Sequence, residues 1–369
     1  MKKWLKSEGA SSFISSCMAI AIGLLFGLVI ILFTNPANAF DGFLNMLFGP
    51  LKMGMMGIGR VLFYAIPIIM TGLSVGFAFK TGLFNIGTPG QFITGAFAAV
   101  YVGVHWTFLP AEIHWIVALL AAFIVGGLWA IVPGIMKAYL NVNEVISSIM
   151  MNYIGMYLVN FLVKATVFDE LRSQSLGVAS SAEIPRLGLD QLFRGSTLNA
   201  GILIALGMVV IIYIILNKTK FGYELKATGL NKNAAKYCGM REKRNIILTM
   251  VIAGGLAGLG AGIFYLTGIE QWMVQQTTVP AMGFNGIAAA FLGGSSPIGA
   301  IFSSYFIQHI TSGGTYVDKT MYCTQISDLI SAFIIYLCGF VLFFKMWLNR
   351  FLNKREEKRL VKEQKGGES

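Results

Sequence analysis

Charge is scarce in this 369-residue chain: Asp, Glu, Lys and Arg together make up 12% of it, against 56% hydrophobic residues. That balance excludes an ordinary soluble globular domain and fits a polytopic membrane protein. Histidine is scarcer still, with His105, His114 and His309 scattered along the chain. No two carboxylates share one face of an apolar run. The usual groups for acid–base work or proton relay are therefore missing. The four cysteines, Cys17, Cys238, Cys323 and Cys338, have neither metal nor redox spacing. Three of them fall in apolar runs or on the expected inner side, so no disulfide framework is expected. No GxxxxGK[ST] segment occurs, so the chain has no P-loop for ATP. Catalysis, a metal and a bound cofactor are all expected to be absent, and any ATP used would be bound by a partner subunit.

What charge there is leans one way, to a net +11. The basic residues flank apolar runs, so membrane topology explains them better than nucleic acid does. The pattern predicts an all-α fold of about ten transmembrane helices, near 13–34, 59–79, 82–104, 113–136, 144–163, 198–216, 246–268, 279–293, 297–313 and 325–347. The first run follows Lys2, Lys3 and Lys6 and exceeds the roughly 7–15 residues of a signal-peptide core, so it reads as an anchor. With both termini cytoplasmic, 21 of the 28 Lys and Arg residues fall inside. Spans eight and nine are short and separated only by Gly293-Gly294-Ser295-Ser296, which suits a broken helix pair as well as two crossings. The permease-like membrane domain would be 1–348, with a charged cytoplasmic tail at 349–369. Lys354, Arg355, Lys358 and Arg359 in that tail could meet anionic membrane lipid, although plain topological anchoring explains them better.

The segment 217–245, NKTKFGYELKATGLNKNAAKYCGMREKRN, is the long charged loop of the second half. It holds eight Lys/Arg and two acids, Glu224 and Glu242. Phe221 to Thr228 is expected to continue the preceding helix, with Gly229 stopping it. Asn231 would cap a new helix, Lys232 to Cys238, and Gly239 would end it in the left-handed conformation. Ala234, Ala235 and Cys238 are small enough for a partner surface to come close. On residue chemistry alone, a basic loop that only fixes topology is the better account.

Polar groups inside spans are the clues to transport, because each is costly unless it lines a cavity or finds a partner. Asn85 and Gln91 lie about one and a half turns apart, with Gly87, Pro89 and Gly90 between them. They could present amides to a neutral ligand, and interhelical glue accounts for them equally well. Phe284 and Asn285 offer a ring to stack on a base and an amide for its edge. Asn152 and Tyr153 could complete such a pocket. Leu83–Gly87 and Gly283–Ile287 are Phe-Asn segments five spans apart, a candidate inverted repeat. Glu144 is best read as a carboxylate at a helix N-terminus, Asp328 likewise, and Lys80 and Lys137 as snorkelling bases. The outer loop 164–197, with a short helix over 188–194, could touch an extracytoplasmic protein or simply lie on the membrane. The run Gly254–Gly262 permits tight helix contact.

Four of these segments resemble, in the right order, one known family. Phe221-Gly222-Tyr223-Glu224-Leu225-Lys226-Ala227-Thr228-Gly229, with Asn231, Ala234-Ala235 and Gly239-Met240, is similar to the cytoplasmic signature of ATP-binding-cassette importer permeases for branched-chain amino acids, simple sugars and nucleosides. Asn85-Ile86-Gly87-Thr88-Pro89-Gly90-Gln91 resembles the family's NIGxxGQ segment. Asn143 to Ile154 and Gly283-Phe284-Asn285-Gly286-Ile287-Ala288 resemble its nucleoside (guanosine-type) branch. The likeness covers roughly residues 55–345. It implies a coupling element, with Gly222, Glu224, Ala227, Gly229, Asn231, Ala234, Ala235 and Gly239 meeting a separate ATPase subunit. It also implies a second, different permease, an extracytoplasmic substrate-binding lipoprotein and a nucleoside cargo, purine favoured. A simple-sugar permease is the alternative, and an ion-coupled carrier a lesser one.

Overall fold

A computed structural model describes residues 8–275 and 277–316, and beyond them 329, 330, 332, 333, 336, 337, 340, 341, 343–347, 349 and 350. Lys2, Lys3, Lys6, Lys319, Cys323, Asp328, Cys338 and the basic tail residues Lys354, Arg355, Lys358 and Arg359 lie outside the described residues, as do parts of the expected span 325–347.

The described residues are helical apart from loops and one small ribbon. In order run α1 (Glu8–Thr34), α2 (Ala39–Lys52), α3 (Met55–Lys80), α4 (Thr88–His105), α5 (Ala111–Leu140), α6 (Glu144–Thr166), β1 (Phe168–Asp169), β2 (Gln174–Ser175), α7 (Leu189–Leu192), α8 (Gly201–Lys218), α9 (Lys220–Leu230), α10 (Lys232–Tyr237), α11 (Glu242–Tyr265), α12 (Ala281–Leu292) and α13 (Pro297–Gly313). Six helices among the described residues are long and apolar enough to cross a membrane: α1, α3, α5, α6, α8 and α11. The expectation of about ten crossings is not met helix for helix. The 12 residues of α12 span about 18 Å at 1.5 Å per residue, well short of a roughly 30 Å hydrocarbon core. The turn between α12 and α13 brings Gly293 and Gly299 into backbone contact, so the two pack as a hairpin, the broken-pair reading. Likewise α4 begins only at Thr88 rather than at 82, because residues 81–87 form an irregular turn.

Burial sorts the helices. Within the apolar stretch of α3, 89% of residues are buried, and within α11, 78%; in α1, α5, α6 and α8 the share is 22–33%. A helix apolar all round and buried all round is a bundle centre, whereas the other four bury one stripe and leave an apolar face for lipid or a partner. The packing of α11 on α5 and α4 is made by small residues. Gly254 and Gly258 lie against Gly126 and the Ala122 carbonyl, and Gly95 against Gly258. Backbones in direct contact gain dispersion energy that side chains would block.

The two ends of the bundle differ. At one end α3 finishes at Lys80, and α9 and α10 fold beneath it. Here Lys137 pairs with Glu144 at 2.7 Å, Asn143 caps α6 by accepting from the Val145 N–H, and the Lys243 ammonium lies 4.5 Å from the centre of the Tyr139 ring. Glu144 and Lys137 thus answer each other across the α5–α6 turn, beyond the helix-end and snorkelling roles expected of them.

At the far end the 164–197 loop is packed down rather than lying free. The Ser175 N–H donates to the Trp272 carbonyl at 2.8 Å, the Trp272 indole donates to Asn160 Oδ1 at 2.8 Å, and the Ile184 N–H donates to the Leu266 carbonyl at 3.0 Å. Only four residues of the expected 188–194 helix form α7. His114 is fully buried between Ser181 Oγ and the Val102 carbonyl. His105 meets the Thr166 carbonyl at 3.2 Å, and His309 meets the Leu47 carbonyl at 2.7 Å. The amphipathic α2, which no span accounted for, packs against α13, with Gly313 against the Met46 backbone.

Candidate functional site

The sequence breaks α3 from α4 with Thr81-Gly82-Leu83-Phe84-Asn85-Ile86-Gly87. A chain leaving a helix inside a bundle exposes backbone N–H and C=O groups that must be satisfied. Side-chain amides do this. Asn85 and Gln91 form a reciprocal pair, Asn85 Nδ2 donating to Gln91 Oε1 at 2.8 Å and Gln91 Nε2 donating to Asn85 Oδ1 at 3.0 Å. Asn85 also donates to Ser74 Oγ on α3 and accepts from the Gly87 N–H, so all four of its hydrogen-bonding positions are used. From α6, Asn152 reaches across: its Nδ2 donates to the Ile86 carbonyl at 3.0 Å and its Oδ1 accepts from the Gly90 N–H at 2.8 Å. Asn85, Gln91 and Asn152 are 0–2% exposed.

The knot has one unsatisfied member. The Ser148 hydroxyl is fully buried and has no hydrogen-bond partner among the described residues. A β-carbon placed on Gly87 would lie 3.2 Å from both Ser148 Oγ and Gln91 Nε2, so the two polar groups line the same small space. Sequence reasoning passed over Ser148 and Ser74. The spacing of Ser148 and Asn152, four apart on one helix face, was the available signal.

α12 arrives at the same place. A β-carbon on Gly283 would lie 2.6 Å from Pro89 Cα, so the second Phe-Asn segment of the candidate repeat touches the first turn of α4, just past the first segment. Thr71 Oγ1 donates to the Met282 carbonyl at 3.1 Å, tying the start of α12 to the middle of α3. Asn285 is half-buried one turn on, and Phe284 is exposed. Tyr153 is also exposed, turned away from its neighbour Asn152. The structure therefore unites Asn85, Gln91 and Asn152, sets Asn285 near them, and leaves Phe284 and Tyr153 on the outer surface of the bundle.

The charged loop makes the second constellation. Thr219 is extended and breaks α9 from α8, its Oγ1 accepting from the Gly222 N–H at 3.0 Å. α9 is thus a separate helix rather than a continuation, and it runs through Gly229 to Leu230. Gly229 has another use: a β-carbon there would lie 2.5 Å from the Thr81 carbonyl oxygen and 2.6 Å from the Gly82 nitrogen. α9 therefore abuts the turn that leads into the amide knot. Gly222 packs against the Ile215 carbonyl. Asn245 Nδ2 donates to Thr228 Oγ1 at 3.0 Å, tying α9 to α11.

α10 follows as a short capped helix. Asn231 Oδ1 accepts from the Ala234 N–H at 3.0 Å, and Gly239 takes φ +78°, which only glycine adopts without strain. Ala235 is buried against the rest of the chain, so closeness to a partner falls to Ala234 and Cys238, both exposed. Leu230 and Tyr237 stand 89% and 93% exposed on either side. Glu224 and Ala227 are half-buried on α9. The Lys226 ammonium, donating to Asn217 Oδ1 at 2.9 Å, is held below its ordinary range by burial and by the neighbouring Lys80. Among the described residues no three His, Cys, Asp or Glu side chains come together as a metal site.

A cavity of about 570 Å³ opens at the far end, lined among others by Glu112, Trp115, Glu183, Arg186 and Asn199.

Residues 57–339 match the family model for the branched-chain amino acid transport system / permease component. The guanosine ABC transporter permease protein NupP of Bacillus subtilis is 36% identical over 86% of this chain and 90% of its own length. The nucleoside ABC transporter permease protein NupB of Lactococcus lactis is 34% identical over 86% of this chain and 88% of its own. A second guanosine permease of Bacillus subtilis, NupQ, is 28% identical over 68% of this chain and 78% of its own length. No solved structure matches the chain.

Proposed function

Since the chain belongs to the family of branched-chain amino acid transport system permease components, we propose that it is the membrane subunit of an ATP-binding-cassette importer for a nucleoside, a purine nucleoside by preference. It is a multi-pass plasma membrane protein and a transport subunit. Energy comes from a separate ATPase, because the chain has no P-loop of its own. The protruding α10, with Leu230, Ala234 and Tyr237 exposed, is the seat for that ATPase on the cytoplasmic side.

One observation carries the mechanism: Gly229 of α9 abuts Gly82, three residues before Asn85. Backbone against backbone, with no flexible side chain between, is a contact that transmits displacement. A push on α10 and α9 reaches the Thr81–Gly87 turn directly. Asn85, Gln91 and Asn152 then exchange partners, and the amides that close the knot in this conformation turn to the edges of a base or ribose, beside Asn285. Amides suit such a ligand because each offers both a donor and an acceptor to an uncharged, hydrogen-bonding solute.

Two permeases of one Bacillus both match this chain, which supports a second, different permease beside it. An extracytoplasmic binding protein would meet the packed 164–197 face, where the far-end cavity lies. The test is uptake of labelled guanosine into vesicles carrying the whole complex. Depleting ATP while keeping the proton gradient is expected to stop uptake. Sustained uptake would sink the importer reading in favour of an ion-coupled carrier.

A further inference from the structure

Between the first turns of α9 and α11 lies an open cavity of about 460 Å³. Its walls carry three cations, Lys220, Arg241 and Arg244, and one acid, Glu224. None of the four forms an ion pair among the described residues. The neighbouring bases are engaged elsewhere, Lys226 with Asn217 and Lys243 with the Tyr139 ring. The buried Asn245 also lines the cavity, and it already ties α11 to Thr228 of α9. The apolar run of α8 ends at Leu216 and that of α11 starts at Ile246, so Lys220 and Arg244 stand about one turn or less from the edge of the hydrocarbon. That is the depth of lipid headgroups.

We propose that this cavity binds a phosphate-ester anion, with Arg241, Arg244 and Lys220 around the phosphate oxygens and Glu224 accepting from a headgroup hydroxyl. Guanidinium groups present paired N–H donors that match phosphate geometry. Three cations without carboxylate partners gain most from an anion that brings its own charge. The single acid disfavours a dianion, so a monoanionic diester such as a phosphatidylglycerol headgroup fits better than a free dianionic monoester. The inner leaflet is the one rich in anionic lipid. A ligand held by both helices braces α9 on α11, the support against which the coupling element of the proposed importer is pushed. The cytoplasmic placement rests on that reading; the binding chemistry does not.

The experiment uses the full chain purified in neutral detergent, with native mass spectrometry reading retained lipid. The probes are phosphatidylglycerol, phosphatidylcholine and inorganic phosphate. Wild type is expected to retain phosphatidylglycerol over phosphatidylcholine. Arg241→Gln with Arg244→Gln should lower that retention at least about tenfold, a loss of about 1.4 kcal/mol or more. Lys220→Gln alone should lower it less. Lys232→Gln with Lys236→Gln removes equal charge from α10 and should leave retention intact. Displacement of the lipid by millimolar phosphate, with the same dependence on the variants, supports the phosphate site and names free phosphate as its occupant. Equal loss in both charge pairs, or none in either, overturns the proposal. No ATPase or solute is present, so a failure here leaves the importer reading standing, and failed uptake leaves this one standing.

Discussion

Gly229→Ala tests the force path in one atom. A β-carbon at Gly229 would lie 2.5 Å from the Thr81 oxygen, where ordinary contact begins at 3.4 Å, so α9 must withdraw by about 0.9 Å. Neither neighbour can rotate away, because both are backbone. Overpacking of this kind costs about 1–3 kcal/mol. Against it stands the gain of about 0.5–1 kcal/mol when alanine replaces glycine within a helix. The contact is left weaker by about 0–2.5 kcal/mol, centred near 1, or roughly 5-fold and at most about 70-fold in the equilibrium between joined and parted α9 and turn. The assay is guanosine uptake per ATP hydrolysed in proteoliposomes holding the complete complex. Hydrolysis should continue while uptake falls by a factor within that range. Gly207→Ala is the matched control: the same substitution in α8, with nothing within 4 Å of the new atom, should transport like wild type. If Gly229→Ala also transports like wild type, or if both variants lose equally, the path through Gly82 is wrong.

Three further outcomes follow from the same geometry. Asn152→Ala strands the Gly90 N–H and the Ile86 carbonyl in the bundle, at about 1–3 kcal/mol for each buried group, and thermal unfolding of the purified chain should move down clearly, whereas Tyr153→Ala on the exposed face should move it little. Asn231→Ala removes the α10 cap, worth about 1 kcal/mol, and should weaken ATPase association in a pull-down without changing the unfolding of the chain much. Lys226, with its pKa lowered by burial and by Lys80, binds its proton less tightly folded than unfolded, so stability should rise with pH between its folded value and 10.5; Lys226→Gln should flatten that rise in unfolding scans taken across the alkaline range.

How much of this was legible beforehand follows the reach of each interaction. Asn231 and Gly239 were readable because a cap and a left-handed glycine act within four residues. The break at α8–α9 was not: Thr219 decides it with one extended residue, and the apolar pattern on either side looked continuous. The amides at Asn85 and Gln91 stood out by cost alone, yet Asn152, which holds the Ile86 and Gly90 backbone between them, is more than sixty residues from either, and only the fold sets it there. Tyr153 and Phe284 looked like pocket residues because an aromatic ring carries no label for which helix face it occupies. Span bounds shifted where glycine and proline interrupt an apolar run at 82–88, and α12 took the broken-pair form that the sequence had left beside two full crossings. The hairpin at 168–175 was invisible, since two residues per strand give no period to read.

The glycine contacts among α4, α5 and α11 have a bearing on motion. Helices separated by bulky side chains can slip, because rotamers absorb small offsets. Here main chain rests on main chain, and no slack exists to be taken up. The trio must swing as one stiff plate, with any shearing confined to seams where larger residues meet. In the proposed importer, a nudge of less than an ångström delivered near Gly82 would then be passed through that plate toward the opposite mouth of the bundle.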